Sequence, residues 1–171
     1  GFALLHTYID RSNLEETASV KLFFSQELSD EQQPPQLAVE PAVEDLHVYL
    51  LDNSLEASGK FTAGRRYTIR VPGTLLSEQG KTLGDGVSVT IEIHDHEPAI
   101  AFEHGSGILS PRGTLTVDAK GVNLDQVELQ AWRVHANNLV PHLHGTQVAE
   151  TSQSVLDKNV RVKSPHNEVR K

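Results

Sequence analysis

Short alternations of apolar and polar residues run along this chain, broken every ten or so positions by turn-forming residues. Val20, Leu22 and Phe24 alternate with Ser19, Lys21 and Phe23. Tyr67, Ile69 and Val71 alternate with Arg66, Thr68 and Arg70, and Val87, Val89, Ile91 and Ile93 with Ser88, Thr90, Glu92 and His94. Successive side chains of a strand point to opposite faces, so each run buries one face and wets the other. Between the runs lie Gln32-Gln33-Pro34-Pro35, Glu40-Pro41, Asp52-Asn53-Ser54, Ala63-Gly64, Val71-Pro72-Gly73, Gln79-Gly80 and Gly84-Asp85-Gly86, all turn chemistry. Regular short strands with turns between them predict an all-β sandwich or barrel. Apolar sets at helical spacing are too short to support helices.

The second half repeats the pattern more faintly. Ile100 with Phe102, Leu115 with Val117, and Val127 with Leu129 and Ala131 predict strands. The segment from Ala136 to His144 reads as a short helical turn interrupted by Pro141, and after Gly145 only Val160 to Val162 reads as a further strand. That gives roughly four strands where a sandwich of this kind needs about seven. The second unit therefore reads as incomplete, or as one whose tail crosses to a neighbour. Asp95-His96-Glu97-Pro98 is a polar stretch ending in proline after a strong strand, which suits a stiff step between domains. Two consecutive β-sandwich domains, 1–96 and 97–171, are expected, with one larger sandwich as the alternative.

Charge sharpens the division. Residues 1–97 carry 7 Lys/Arg against 16 Asp/Glu, a net −9, and residues 98–171 carry 8 against 7, a net +1, together the −8 of the whole chain. Without a basic patch, neither nucleic acid nor anionic lipid is an expected partner. No run approaches the roughly 20 apolar residues of a membrane span. The 171 residues contain no Cys and no Met. The first excludes a disulfide framework, a thiolate metal site and a Cys nucleophile; the second suggests a processed or excised chain.

Candidate chemistry is sparse. His94-Asp95-His96 would place two imidazoles on one face of a strand, where His104 could complete a metal shell; a polar strand terminus and linker is the reading the triplet's position favours. His142 and His144 could share an ion only on extended backbone, since on a helix they point about 200° apart. Ser25, Ser77, Ser106 and Ser110 lack the strand–elbow–helix setting of a nucleophilic serine. Glu15-Glu16, Asp30-Glu31 and Glu44-Asp45 read as solvated turns rather than a carboxylate pair for glycoside hydrolysis, and Asp52, Asn53 and Asp85 are too isolated for a calcium loop. Trp132, beside Glu128, Gln130 and Val134, is either packed or a partly exposed stacking surface. In the segment from Gly59 to Tyr67, Phe61 is expected to cap a turn and Gly64 to take a positive φ.

Several strings in order resemble the N-terminal part of bacterial alpha-2-macroglobulin family proteins. They are Ala18 to Leu28; Leu55 to Val71, with Ala63 where the family has proline; Leu75 to Leu83; Asp95 and Pro98 with Ile100 to Phe102; Gly107 to Gly113; and Val122 to Leu139. The resemblance spans roughly residues 18–144. It implies an Ig-like sandwich at 1–96, a partial macroglobulin-like sandwich at 97–171, and a periplasmic or extracellular parent that traps proteases. The family's thioester needs a Cys-x-x-Gln motif, which this chain lacks. The implied role is therefore non-catalytic, with no catalytic, cofactor-binding or metal-ligating residue and no cofactor. Implied partners are other domains of the parent chain, proteases, or an envelope protein such as a peptidoglycan synthase. Two other readings stand beside it: a cell-surface module binding carbohydrate or protein, through Trp132 if exposed, and a metal-dependent enzyme using His94, Asp95, His96 and His104.

Overall fold

The computed structural model describes residues 1–103, 116–138 and 152–171. Eleven strands are seen among them: β1 Leu4–Arg11, β2 Ala18–Phe24, β3 Ala38–Glu40, β4 Glu44–Leu51, β5 Ser54–Lys60, β6 Arg65–Val71, β7 Val87–Ile93, β8 Ala99–Phe102, β9 Ala119–Val122, β10 Gln126–Val134 and β11 Ser152–Arg161, with a 3₁₀ turn at Ala136–Asn138. The fold is all-β. A four-stranded sheet in the order β1-β2-β5-β4 faces a three-stranded sheet in the order β3-β6-β7, while β8-β9 and β10-β11 form two-stranded ribbons. Every pairing is antiparallel.

Alternation builds the sandwich as expected. Ala18, Val20, Leu22 and Phe24 of β2 and Leu55 and Ala57 of β5 share one buried cluster with Tyr67, Ile69 and Val71 of β6 and Ile91 and Ile93 of β7. Each fully buried Val, Leu or Ile stabilises by about 1.5–3 kcal/mol, so this inward stripe is what holds the two sheets face to face. Tyr67 is buried yet polar, and its hydroxyl accepts the backbone N–H of Thr62 at 2.8 Å. Phe61 belongs to the core rather than capping a turn. Its ring meets Tyr67 edge-on, centroids 5.1 Å apart. The turn signals at Pro72-Gly73 and Gly84-Asp85-Gly86 come together in space: a Cβ on Gly73 would lie 1.7 Å from the Gly84 carbonyl oxygen. Only glycine allows that approach.

Beyond Ile93 the expectations hold less well. Strand β8 forms over Ile100 and Phe102, but both side chains are more than half exposed, so this stripe is not a buried one. Val117 is also exposed and outside any strand, and Leu115 lies outside the described residues. The neighbouring strand is instead β9, where Val122 is buried opposite Ala99. Its Lys120-Gly121 centre carries no alternation of apolar and polar side chains. Strand β11 runs ten residues rather than the three expected, because its backbone pairs with β10 from Gln126↔Arg161 to Val134↔Ser152. Hydrogen bonding, not an apolar face, defines it.

Candidate functional site

The His94-Asp95-His96 segment is where the sequence and the structure meet most informatively. It leaves the end of β7, and its two imidazoles part company: His94 is exposed and His96 is only 8 % exposed. Two asparagines grip the backbone of His96. Its N–H donates to Asn167 Oδ1 at 3.0 Å, and its carbonyl accepts from Asn123 Nδ2 at 2.6 Å. Asn123 Nδ2 also donates to Asn167 Oδ1 at 3.1 Å, and the Asn167 N–H donates to Asn123 Oδ1 at 2.6 Å. Asn167 Nδ2 reaches Asp95 Oδ1 at 2.7 Å. From β1, Arg11 Nη2 donates to the Asp95 carbonyl at 3.0 Å, and the Glu97 N–H donates to Asn13 Oδ1 at 3.3 Å.

Local backbone explains the choice of residues. Asn123 and Asn167 have φ of 52° and 60°, a left-handed conformation in which asparagine is among the tolerated side chains. Gly64, at φ 73°, receives Asp95 against it: a Cβ there would sit 2.5 Å from Asp95 Oδ1. The positive φ expected at Gly64 is thus observed, with a second reason for glycine that the sequence did not show. Arg11, Asn123 and Asn167 were missed altogether, although asparagine at loop positions was a usable signal.

Electrostatics follows from this packing. The hydrogen bond from Asn167 is the largest influence holding the Asp95 carboxyl below its ordinary pKa, and His166, 3.5 Å away, acts in the same direction. Burial, then the Arg11 guanidinium, pushes the His96 imidazole down, with Asp95 opposing. His96 Nδ1 and Arg11 Nη1 are buried without a hydrogen-bond partner. The arrangement is a hydrogen-bonded clasp that ties together β1, the β7–β8 connection, the end of β9 and the C-terminal loop. Among the described residues no three His, Asp or Glu side chains converge as metal ligands would. His104, His142 and His144 lie outside the described residues.

Ser25 Oγ accepts the Ala3 N–H and donates to the Gly1 carbonyl, tying down the N-terminus. Ser77 is buried, and its Oγ accepts the Lys81 N–H at 3.2 Å. Ser106 and Ser110 lie outside the described residues. Glu44 and Asp45 bind Lys60 Nζ at 3.3 and 2.9 Å. Glu27, Asp30, Asp52 and Glu78 line an open cleft of about 370 Å³, where a hydrogen bond shared with Glu78 raises the Glu27 pKa. Trp132, on the β10-β11 ribbon, is 39 % exposed, so the packed reading of its ring holds only in part.

Solved structures supply the comparison for this arrangement. A crystal structure of a Salmonella alpha-2-macroglobulin variant superposes on 99% of the chain with a TM-score of 0.68 and 16% identity. The fold is that of a bacterial alpha-2-macroglobulin segment. The same Salmonella protein reacted with methylamine gives a TM-score of 0.65, again at 16% identity over 99% of the chain. An Escherichia coli alpha-2-macroglobulin structure spanning domains MG0-NIE-MG1 gives 0.51 at 16% identity, with 99% of this chain and 58% of that one covered. The chain spans only 11% of the length of either Salmonella alpha-2-macroglobulin structure. No protein-family model and no curated protein sequence matches it. No helix among the described residues is long and apolar enough to cross a membrane.

Proposed function

We propose that the chain is a non-catalytic scaffold segment of a bacterial alpha-2-macroglobulin-like protein that traps proteases, located in the periplasm or outside the cell. The superposition of 99% of the chain on one tenth of the Salmonella structure carries this reading. In it, residues 1–96 form an Ig-like sandwich and residues 97–171 a partial macroglobulin-like one, joined by the clasp around His96. In this reading the exposed apolar side chains of the second unit, Ile100 and Phe102 on β8 and Leu129 and Val155 on the β10-β11 ribbon, face neighbouring domains. The partners are other domains of the parent chain, proteases, or an envelope protein such as a peptidoglycan synthase. An antibody raised against residues 1–171 tests the reading on the source cells. The expected result is a band many times larger than 18.8 kDa in the envelope or medium, which retains added trypsin on native gels. A band of this size alone, or one with no capacity to hold protease, overturns it.

A further inference from the structure

We propose that the outer face of the four-stranded sheet is a binding platform for an uncharged oligosaccharide chain. Register places Tyr8 opposite Lys21, Lys21 opposite Glu56, and Glu56 opposite Tyr49. Directly paired residues share a face, so these four side chains form one row across all four strands. The row faces away from the core, since the flanking Val20, Leu22, Leu55 and Ala57 are the buried ones. Tyr8 is 56 % exposed and Tyr49 is 50 % exposed. Three inter-strand gaps separate them, about 14 Å, which a chain of several sugars spans and a single sugar does not. Between the tyrosines, Lys21 Nζ and Glu56 Oε2 lie 3.6 Å apart.

The neighbouring rows complete the surface. On one side, His6 stacks on Phe23 with centroids 4.6 Å apart and planes 13° from parallel, and Leu51 closes the row on β4. On the other, Asp10, Ser19, Ser58 and His47 pair across the sheet. Aromatic rings thus alternate with hydroxyl and charged groups.

That mixture decides the class of ligand. A protein partner would have to desolvate the Lys21–Glu56 pair at the centre of the contact, where interfaces are depleted of charge. A sugar chain has no such conflict: its C–H faces stack on the rings while its hydroxyls bond to Lys21, Glu56 and the serines. The pair is balanced, so the row presents no single-sign field, and a polyanion would meet a chain of formal charge −8. An uncharged polymer fits best. None of this depends on the protease-trapping reading.

Titration of the ¹⁵N-labelled 171-residue chain with cellohexaose and with chitohexaose tests the proposal. Backbone shifts are expected on β1, β2, β5 and β4, with glucose at the same concentration producing far smaller ones. Tyr8→Ala and Tyr49→Ala should each weaken binding about three- to tenfold without moving the melting midpoint, and Trp132→Phe should leave binding unchanged. Silence with both hexamers at millimolar concentration overturns the proposal, as do shifts confined to other strands. Self-association that the two tyrosine substitutions abolish would assign the face to a second copy and overturn it too.

Discussion

Single residues in this chain do their work through what sits against them. Glu27 and Glu78 show it on the surface, where two carboxyls share a hydrogen bond, Asp52 adds to the repulsion, and the Glu27 pKa rises above 4.5. A carboxyl whose folded pKa is raised binds its proton more readily in the folded chain. Its contribution is fully present below the unfolded value and is lost as pH rises through the folded one. At pH 7 the pair is therefore a small liability. Glu78→Gln should raise the midpoint of thermal unfolding at pH 7 by less than about 2 °C, and the gain should vanish below pH 4. A gain that persists at pH 3.5 would show that the substitution acts through something other than charge.

At the scale of elements, what could be read from the sequence depended on how each strand earns its place. Strands β2, β6 and β7 bury Val, Leu, Ile and Tyr at every second position, so alternation revealed them. Strand β5 is equally central, but after Leu55 its inward positions are Ala57 and Gly59, too small to register as a stripe. In β1 the register shifts between Leu4 and His6, which puts the pattern out of phase. The clasp was legible only as a polar stretch after a strand. Its partners are remote: Asn123 is 27 residues from His96, Asn167 is 71, and Arg11 is 84 from Asp95. No local pattern encodes such pairings. Asn167 is the element that joins them, since it accepts from His96 and Asn123 and donates to Asp95. Asn167→Ala should cost about 1–3 kcal/mol by leaving those part-buried donors unmet, a fall in the unfolding midpoint of about 2–10 °C. Hydrogen exchange at the His96 amide should quicken while Ile69 and Ile91 stay protected. Uniform loss of protection would mean that the clasp is not a separate locus of stability.

Across the whole molecule, the same clasp links the sandwich core to the β8-β9 ribbon and the C-terminal loop, and its His96 and Asp95 respond to acid in the same sense. His96 has a folded pKa below 6.5, so the unfolded chain binds its proton first; the neutral form's contribution is complete above that value and declines as pH falls through it. Asp95 has a folded pKa below 3.8, so its contribution is present above that value and declines at more acid pH. Arg11 and Asp95 act on His96 directly, while Glu16, Lys60 and Glu168 line the small cleft it borders. Asp95 keeps its charge between pH 7.5 and 5.5, so of these two groups the His96 imidazole is the one that changes. Lowering the pH across that range should therefore loosen the clasp before the core. Hydrogen exchange corrected for intrinsic rates should show faster opening at His96, Asn167 and Gly121, with the β6–β7 ladder unchanged. His96→Gln removes the buried imidazole, and its protection at these amides should vary less across the same range than that of the wild-type protein. If the two proteins vary equally, the buried imidazole does not govern how firmly the second half of the chain is held to the first.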